Sequence, residues 1–311
     1  MPERVRITDV APRDGLQNEP HNIPTEHKLR LLKLLLDARV DEIEATSFVS
    51  PKWIPQLADA PELLRRFADC DARDVIISAL VPNERGMQAV LDVNRSVGRR
   101  LIEKVAVFTA ASEAFAQRNT NATIAETLER FVPVIAMAHD ADIAVRGYVS
   151  CAIACPLAGV VAPQAAADVA RRLLEIGVDE LDLADTIGAA TPRSVTELLE
   201  STRNVCGADA VRNVTIHLHD TFGRAADCVR AALAMGVRSF DGAAGGLGGC
   251  PYASTADRRA PGNIATRALV AAIHAAGFET RVDLEALAAA EAFAQSLARS
   301  LPDGTGPAGR K

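Results

Sequence analysis

Short, β-rich apolar runs recur along this chain roughly every thirty to forty residues, and a stretch with helical periodicity separates each run from the next. The runs are Val5–Asp9, Glu42–Thr46, Val75–Leu80, Lys104–Phe108, Ala144–Val149, Glu180–Leu183, Val214–Leu218 and Ser239–Ala243. Strands that alternate with helices are typical of βαβ units and a parallel sheet. Because there are eight runs, the sequence predicts an α/β fold, a single (β/α)₈ barrel of the TIM type.

The intervening segments carry ordinary helix signals, which support this division. Leu31, Leu34, Leu35 and Ala38 form one apolar stripe. Thr123 with Glu126, and Thr191 with Pro192, have the spacing of helix N-terminal caps, and Gly177 and Gly236 stand where a helix should end. We predict one catalytic domain over residues 1–301, which includes an extra C-terminal helix over about Leu284–Arg299, and a flexible Gly/Pro-rich tail over 302–311. A doubly wound open sheet is the main alternative, but no glycine fingerprint follows the first strand.

Composition excludes several classes of partner. The net charge is only −6, and no block of Lys or Arg marks a nucleic-acid surface. An anionic substrate would therefore have to be held by a few local cations. No apolar run reaches membrane-spanning length, so no membrane partner is expected. Six cysteines without disulfide-rich spacing, and no signal segment, predict reduced thiols and a cytoplasmic protein.

In a barrel of this kind, catalytic side chains lie at the carboxyl-terminal ends of the strands. The polar residues predicted at those ends are Arg13, Asp14 and Gln17 after the first strand, Glu44 and Ser47 at the second, Asp185 and Thr186 at the sixth, His217 and His219 at the seventh, and Cys250 and Asn263 after the eighth.

His217 and His219 should point to the same face of their strand, because side chains alternate along a strand. Two imidazoles at a barrel mouth can share a metal ion, although a hydrogen-bonded pair of buried histidines is the structural alternative. Asp14 is the natural anionic partner of the two histidines in such a metal site. The structural alternative is a loop carboxylate that pairs only with Arg13. Two histidines and a carboxylate suit one octahedral Mg²⁺ or Mn²⁺ ion, and they could also form an iron-binding facial triad.

The glycine-rich segment Gly245–Gly249 precedes Cys250 and should form a loop that can approach a ligand. A thiol there could act as an acid or base, could be inert, or the glycines could instead cradle a phosphate. Asn263 could add a carbonyl oxygen to the metal site or cap the helix that follows it.

Several of these segments together resemble one enzyme family over nearly the whole chain. Pro12–Glu19, Thr46–Trp53, Arg146–Cys151, His217–Thr221 and Gly246–Tyr252 occur in the order found in 3-hydroxy-3-methylglutaryl-CoA lyase. The paired histidines alone would be weak support, but the first-strand Arg-Asp and the Gly-Leu-Gly-Gly-Cys-Pro-Tyr loop make the resemblance specific.

The resemblance implies a barrel enzyme, usually a homodimer, that cleaves 3-hydroxy-3-methylglutaryl-CoA to acetyl-CoA and acetoacetate, as in leucine degradation and ketone body formation. The implied roles are metal binding by Asp14, His217, His219 and Asn263, catalysis by Arg13, Glu44, Asp185 and Cys250, and substrate binding by Arg13, Gln17, Ser47 and Thr186.

The implied chemistry explains these residue types. The ion would orient the substrate hydroxyl and carboxylate and favour the alkoxide, whose collapse expels the enolate of acetyl-CoA. Arg13 would stabilise charge on the thioester oxygen, and Cys250 would return a proton to the enolate carbon. The base that removes the hydroxyl proton is a metal-site residue or Asp185.

Two departures from the family pattern bear on the acyl group. The stretch from Cys250 to Asn263 is a few residues longer than usual, and Arg267 stands where an acidic residue is expected. A larger branched 3-hydroxyglutaryl-CoA is therefore an alternative substrate. A related metal-dependent 2-oxo-acid aldolase, an acyl-CoA condensing synthase and a non-enzymatic barrel scaffold are the competing functions.

Overall fold

The computed structural model describes residues 3–17, 19–72, 74–207, 209–248 and 262–299. Cys250 and the tail over 302–311 lie outside the described residues, so the roles assigned to them above stay predictions.

Eight parallel strands close into a barrel in which each strand pairs with its neighbours in sequence order. The strands are β1 (Arg6–Asp9), β2 (Glu42–Ser47), β3 (Ile76–Leu80), β4 (Lys104–Ala110), β5 (Ala144–Ser150), β6 (Glu180–Asp185), β7 (Val214–Leu218) and β8 (Ser239–Gly242). The last strand pairs with the first from Arg6 opposite Ser239 to Asp9 opposite Gly242. The predicted barrel is confirmed; β7 has the predicted bounds, and the other strands differ from the prediction by one or two residues at one end.

Helices connect the strands and surround the barrel. They are α1 (Thr25–Asp37), α2 (Ala60–Phe67), α3 (Glu84–Ser96), α4 (Glu113–Thr120), α5 (Ile124–His139), α6 (Pro163–Glu175), α7 (Pro192–Cys206), α8 (Ala225–Ala234), α9 (Thr266–Ala275) and α10 (Leu284–Arg299). The predicted capping box at Thr123 and Glu126 is present, and Thr191 caps α7 through Ser194. Of the described helices, none is long and apolar enough to cross a membrane.

The strands of this barrel have an apolar outer face and a polar inner face. On β5, Val145 and Val149 are fully buried against the helix layer, whereas Arg146 and Tyr148 point into the barrel. Gly147 lies on the outer face, where an added Cβ would be 3.0 Å from Val178 and 3.1 Å from Leu173. The glycine therefore allows α6, which carries Leu173, to pack closely on the sheet.

The barrel interior contains ion pairs where a barrel of this type usually has branched apolar side chains. Lys104 Nζ lies 2.7 Å from Glu42 and 2.8 Å from Glu180, and Arg146 Nη2 lies 3.0 Å from Glu42. We call these four residues the interior ion-pair cluster. Since removing charges from water is costly, such a cluster is stable only when its charges are balanced, as two cations and two carboxylates are here.

Two local elements do not follow from the sequence patterns. A two-stranded antiparallel hairpin pairs Ala154–Cys155 with Gly159–Val160 after β5. A short π-helical turn over Ala11–Gly15 follows β1 and carries Arg13 and Asp14. Single π-turns are frequent at functional sites, because they redirect side chains without ending the chain's path.

Candidate metal centre

Three predicted ligands meet at the carboxyl-terminal mouth of the barrel. Asp14 comes from the π-helical turn after β1, His217 from β7, and His219 from the residue just beyond β7. One potential ligand atom from each lies within 4.8 Å of the others, and His219 Nε2 is 4.0 Å from Asp14 Oδ2. The geometry therefore allows these side chains to bind a single ion together.

Asn263 is held beside this group by both its backbone and its amide. It forms an antiparallel bridge with His219, and its Nδ2 donates to Asp14 Oδ2 at 2.8 Å and to the Leu247 carbonyl at 2.9 Å. The helix-capping alternative is wrong, because α9 has Ala265 at its N-cap position and no side-chain cap. We call Asp14, His217, His219 and Asn263 the metal-binding cluster.

Two buried polar atoms of this cluster, Asn263 Oδ1 and His219 Nδ1, have no hydrogen-bond partner within the part of the chain that the structure describes. Buried polar groups in folded proteins are nearly always satisfied, so such atoms call for an explanation. Nitrogen and oxygen donors without a thiolate fit an octahedral divalent ion such as Mg²⁺ or Mn²⁺, and iron would accept the same nitrogen and carboxylate donors. The residues therefore fit the implied metal.

Asp241, which sequence reasoning did not single out, fixes the orientation of His217. Its Oδ2 lies 3.2 Å from His217 Nδ1 and 3.3 Å from the Tyr148 hydroxyl that donates to it. Asp241 stands opposite His217 in the register of β8 and β7, so an inward-pointing polar residue on β8 was the available signal. A carboxylate that accepts from one ring nitrogen leaves the other nitrogen for a metal.

The carboxyl groups of Asp182 and Asp241 interact in the barrel interior, and their pKa values are shifted in opposite directions. Burial and the nearby Asp241 raise the pKa of Asp182 well above its usual value. Burial also opposes ionisation of Asp241, but the hydrogen bond from His217 and the charge of Arg146 outweigh it and lower the pKa. A proton shared by this pair therefore favours Asp182, and the negative charge favours Asp241.

The charges of the cluster itself are strongly coupled. Burial would raise the pKa of Asp14, but Arg13 and the two histidines lower it to about 2. Burial, followed by the neighbouring His217, lowers the pKa of His219 to about 4. Asp14 is therefore ionised and His219 neutral at neutral pH, which are the protonation states that metal ligands require.

Arg13 lies next to the metal-binding cluster and is nearly fully buried. Its Nε donates to Glu44 at 2.6 Å, its Nη1 donates to Asp14 at 2.8 Å, and its guanidinium carbon is 5.6 Å from the centre of the Tyr148 ring. Burial and the charge of Asp241 raise the pKa of Glu44, whereas the charge of Arg13 opposes the rise. The 2.6 Å contact identifies Arg13 as the partner of the Glu44 carboxyl group. Glu44 thus fixes the position of Arg13.

Arg13, Asp14, His217 and His219 share the lining of one cavity of about 560 Å³. Gln17 and Thr186, which were predicted to bind substrate, also line it. Thr186 Oγ1 accepts the N–H of Cys151 at 2.7 Å, whereas Ser47 Oγ accepts the N–H of Val49 in the turn after β2. The substrate-binding roles of these residues stay predictions.

Asp185 ends β6 just beneath this mouth, and its carboxyl group anchors a loop. Its two oxygens accept the backbone N–H groups of Ala189 and Ala190, both at 2.9 Å. Burial raises the pKa of Asp185 to about 6, although the two amides oppose the shift. A carboxyl group that titrates near neutrality remains a candidate base.

The glycine-rich segment approaches the cluster closely at Gly248. This residue has φ +98°, and an added Cβ would lie 2.5 Å from Asn263 Nδ2 and 3.2 Å from Asp14 Oδ2. Only glycine can bring the backbone this near to two candidate ligands. Arg267, the other departure from the family pattern, pairs with Glu291 of α10 at 2.7 Å and so faces the C-terminal helix.

These features define a (β/α)₈ barrel protein whose carboxyl-terminal mouth brings together two histidines, an aspartate and an asparagine that could hold a divalent ion. A profile of the HMGL-like family matches residues 4–294. The chain belongs to the HMGL-like family, which confirms the resemblance seen in the sequence.

Individual relatives agree with this assignment. The chain is 46% identical to the hydroxymethylglutaryl-CoA lyase of Pseudomonas mevalonii over 92% of this chain and 90% of that one. It is 42% identical to a 3-hydroxy-3-isohexenylglutaryl-CoA/hydroxymethylglutaryl-CoA lyase of Pseudomonas aeruginosa, over 92% of this chain and 90% of that one. The crystal structure of the HMG-CoA lyase from Brucella melitensis superposes with a TM-score of 0.89 at 44% identity, covering 96% of this chain and 100% of the other.

Proposed function

We propose that this protein is a metal-dependent carbon–carbon lyase that cleaves 3-hydroxy-3-methylglutaryl-CoA to acetyl-CoA and acetoacetate. The observation that carries the proposal is the position of buried Arg13 beside the metal-binding cluster in one cavity. The names of the relatives at 46% and 42% identity support the substrate.

One Mg²⁺ or Mn²⁺ ion, held by Asp14, His217, His219 and Asn263, would polarise the substrate's hydroxyl group and ease loss of its proton. Asp241 would keep His217 in the orientation that the ion requires, because it accepts from Nδ1 at 3.2 Å. The chain's own residues then perform the remaining tasks.

Arg13 stabilises the charge that appears when the carbon–carbon bond breaks. The bonding electrons pass to the acetyl fragment and place negative charge on the thioester oxygen. Burial raises the benefit of a fixed cation at that point, and contacts with Glu44 and Asp14 hold Arg13 without further rearrangement. The acetyl fragment then takes up a proton at carbon, which we assign to the thiol of Cys250.

Removal of the hydroxyl proton is assigned to Asp185 or to a residue of the cluster. Asp185 is the stronger candidate on its protonation state, because its pKa of about 6 leaves it ionised yet basic at neutral pH. We further propose, from the resemblance and the cysteine content, that the protein acts as a homodimer in the cytoplasm.

The direct test is release of acetyl-CoA from 3-hydroxy-3-methylglutaryl-CoA, measured with Mg²⁺, with Mn²⁺ and with EDTA. We expect metal-dependent release that falls by about 10²–10³-fold in Arg13→Gln, the usual cost of losing one donor to a developing oxyanion, with metal content unchanged. Cys250→Ala should lose turnover and also keep its metal. Wild-type protein that binds one equivalent of metal yet releases no acetyl-CoA would refute the proposed substrate.

A larger branched acyl group is the second candidate. The Pseudomonas aeruginosa relative is named for both substrates, and aromatic side chains contribute to the cavity wall here. Competition between 3-hydroxy-3-methylglutaryl-CoA and 3-hydroxy-3-isohexenylglutaryl-CoA in one reaction gives the ratio of kcat/KM values. A ratio that favours the longer branch would reassign the preferred substrate without changing the reaction.

A further inference from the structure

A lysine on the helix layer is buried as completely as the charged residues of the barrel interior. Lys28 of α1 is 1% exposed, compared with 3% for Lys104 of the interior ion-pair cluster. Its ammonium group lies 2.7 Å from Asp59 Oδ1 and donates to the backbone carbonyl of Gln56. Because burying a charge is costly even when it is paired, such a contact outside the barrel calls for an explanation.

Asp59 is committed to this contact rather than to the helix that it precedes. It occupies the N-cap position of α2, where an aspartate usually accepts a backbone N–H of the first turn. No residue of α2, which the structure describes throughout, donates to its side chain. Its two oxygens instead accept from Lys28 and from the hydroxyl of Thr25, both at 2.7 Å. Since both partners belong to α1, Asp59 joins the segment before α2 to that helix.

Gln56 makes a second connection in the opposite direction. Its Oε1 accepts the N–H of Ile23 and its Nε2 donates to the carbonyl of His21, both at 2.9 Å. His21 and Ile23 lie in the loop that runs from the π-helical turn to α1. The side chain of Gln56 therefore reaches the loop after β1, while its backbone carbonyl accepts from Lys28. We call Lys28, Gln56 and Asp59 the loop anchor.

The loop anchor joins two segments that line the cavity at the barrel mouth. Gln17 contributes from the segment after β1. Residues 48–59, which connect β2 to α2, contribute Val49, Ser50, Trp53 and Ile54. Apart from a short 3₁₀ turn over Pro55–Leu57, this described segment has no regular structure. A cavity wall with so few backbone bonds of its own depends on the contacts behind it.

We propose that the loop anchor is a positioning device, in which Lys28 and Gln56 fix residues 48–59 as one wall of the cavity. The two side chains act from behind that wall, since they are only 1% and 6% exposed and neither lines the cavity. They touch neither the substrate nor the metal-binding cluster, so their effect on the reaction is exerted through the position of the wall.

The catalytic end of the cavity is held by other contacts. Arg13 is fixed by Glu44, and Asp14 accepts from Asn263. Loss of the loop anchor should therefore weaken substrate binding while the chemical step and the metal content are preserved. The expected effect on substrate binding rests on the proposed function, whereas the position of the wall does not.

Trp53 reports on this wall directly. It is the single tryptophan of the chain, it is 68% exposed, and it lies on residues 48–59 at the cavity. Tryptophan fluorescence of the unlabelled protein therefore arises from this segment alone. Its steady-state anisotropy measures how firmly the segment is held, before any substrate is added.

The test compares wild type with Lys28→Met and Gln56→Met. In Lys28→Met we expect KM for 3-hydroxy-3-methylglutaryl-CoA to rise about five- to tenfold, as for the net contribution of one hydrogen bond, with kcat within about threefold. Metal content should stay at one equivalent, and the anisotropy of Trp53 should fall. Gln56→Met keeps the carbonyl that Lys28 binds, so it should shift KM and anisotropy in the same direction by a smaller amount.

Two controls separate positioning from general loss of stability. Lys104→Met removes an equally buried and paired lysine at the amino-terminal end of β4, opposite the mouth, and should leave KM and the anisotropy of Trp53 as in wild type. The double variant Lys28→Met/Asp59→Asn removes the carboxylate that has lost its cation. It should regain part of the urea stability but neither the KM nor the anisotropy, because the bonds to residues 48–59 remain absent.

The outcomes distinguish the anchor from the lyase. Unchanged KM and anisotropy in both Lys28→Met and Gln56→Met would overturn the positioning role and leave the lyase intact, as would equal rises of KM in Lys28→Met and Lys104→Met. If Lys28→Met does not fold, Gln56→Met decides the question by the same two readouts. If wild type shows no turnover, the proposed function fails, and the anisotropy comparison still tests the position of the wall.

Discussion

Two groups of buried charged residues lie within this one barrel, and they differ in how their charges are satisfied. In the interior ion-pair cluster, Lys104 and Arg146 face Glu42 and Glu180 at 2.7–3.4 Å. In the metal-binding cluster, one potential ligand atom from each of Asp14, His217 and His219 lies within 4.8 Å of the others, and all three side chains can donate a lone pair to a cation.

The difference indicates which of the two groups has a chemical role. Two cations and two carboxylates in the interior cluster neutralise each other, so that group needs nothing further from outside the chain. At the mouth, lone-pair donors from three side chains converge on a common point instead of facing cations of the chain in matched number. Unsatisfied buried atoms do not separate the two groups, because Glu42 Oε1 and Arg146 Nε of the interior cluster also have no partner among the described residues. The convergence of metal-ligating atoms on one point does separate them.

The largest effect should come from removing a ligand at the mouth. His217→Ala should lower turnover by about 10³-fold or more, because an ion supplies several kcal/mol of charge stabilisation in such reactions. Metal content after dialysis should fall below one equivalent, and the urea midpoint should change little by comparison. A variant that keeps its metal and its activity would remove His217 from the site.

The interior cluster should show the opposite pattern. Lys104→Met leaves Glu42 and Glu180 facing one cation fewer, and we expect it to cost about 3 kcal/mol of unfolding free energy in urea. The metal content of the folded protein should stay at one equivalent. The double variant Lys104→Met/Glu180→Gln should regain part of the loss, and a double variant less stable than the single one would contradict charge balance as the cause.

Asp241 and Asp182 provide a matched pair between the two clusters. Asp241→Asn should weaken metal binding about 10- to 100-fold, since a carboxylate that orients a ligand is lost. Asp182→Asn should change metal affinity by less than about threefold, because the raised pKa of Asp182 favours its neutral form, which Asn resembles in shape and charge. Titration of the apoprotein with Mn²⁺ measures both, and equal losses would argue against the proton distribution described here.

The smallest effect should appear at Asp9, a buried carboxyl group that belongs to neither cluster. Burial raises its pKa to about 6, although Thr266 and the N–H of Ala11 oppose the shift. The folded state therefore holds a proton that the unfolded state releases, so the contribution of Asp9 to stability falls as pH rises from about 4 through about 6. Between those limits the stability of wild type relative to Asp9→Asn should fall by about 1–2 kcal/mol. A difference independent of pH would show that Asp9 does not titrate in this window.

Local sequence patterns were sufficient for the barrel and for most of its mouth. Apolar outer positions such as Val145 and Val149 mark a strand in any tertiary context, and helix caps such as Thr123 bond only to their own first turn. Asp14, His217 and His219 could be proposed together because the ends of parallel strands must meet at one rim.

Other site features depended on contacts between distant segments. Asp241 was not recognised as a site residue, because its role depends on its position opposite His217 on the neighbouring strand. Its neighbours along the chain do not reveal that position. Ser47 lies at a strand end like the other predicted site residues, but its hydroxyl oxygen accepts a hydrogen bond from the backbone N–H of Val49.

The sequence by itself determined the order of strands and helices and which polar side chains point into the barrel, because both follow from periodicity and from short-range hydrogen bonds. Only the tertiary structure decided which of those polar groups neutralise one another and which converge as potential metal ligands. That distinction depends on distances of a few ångströms between residues such as Asp14 and Asn263, which are 249 positions apart. Closure of the barrel sets those distances.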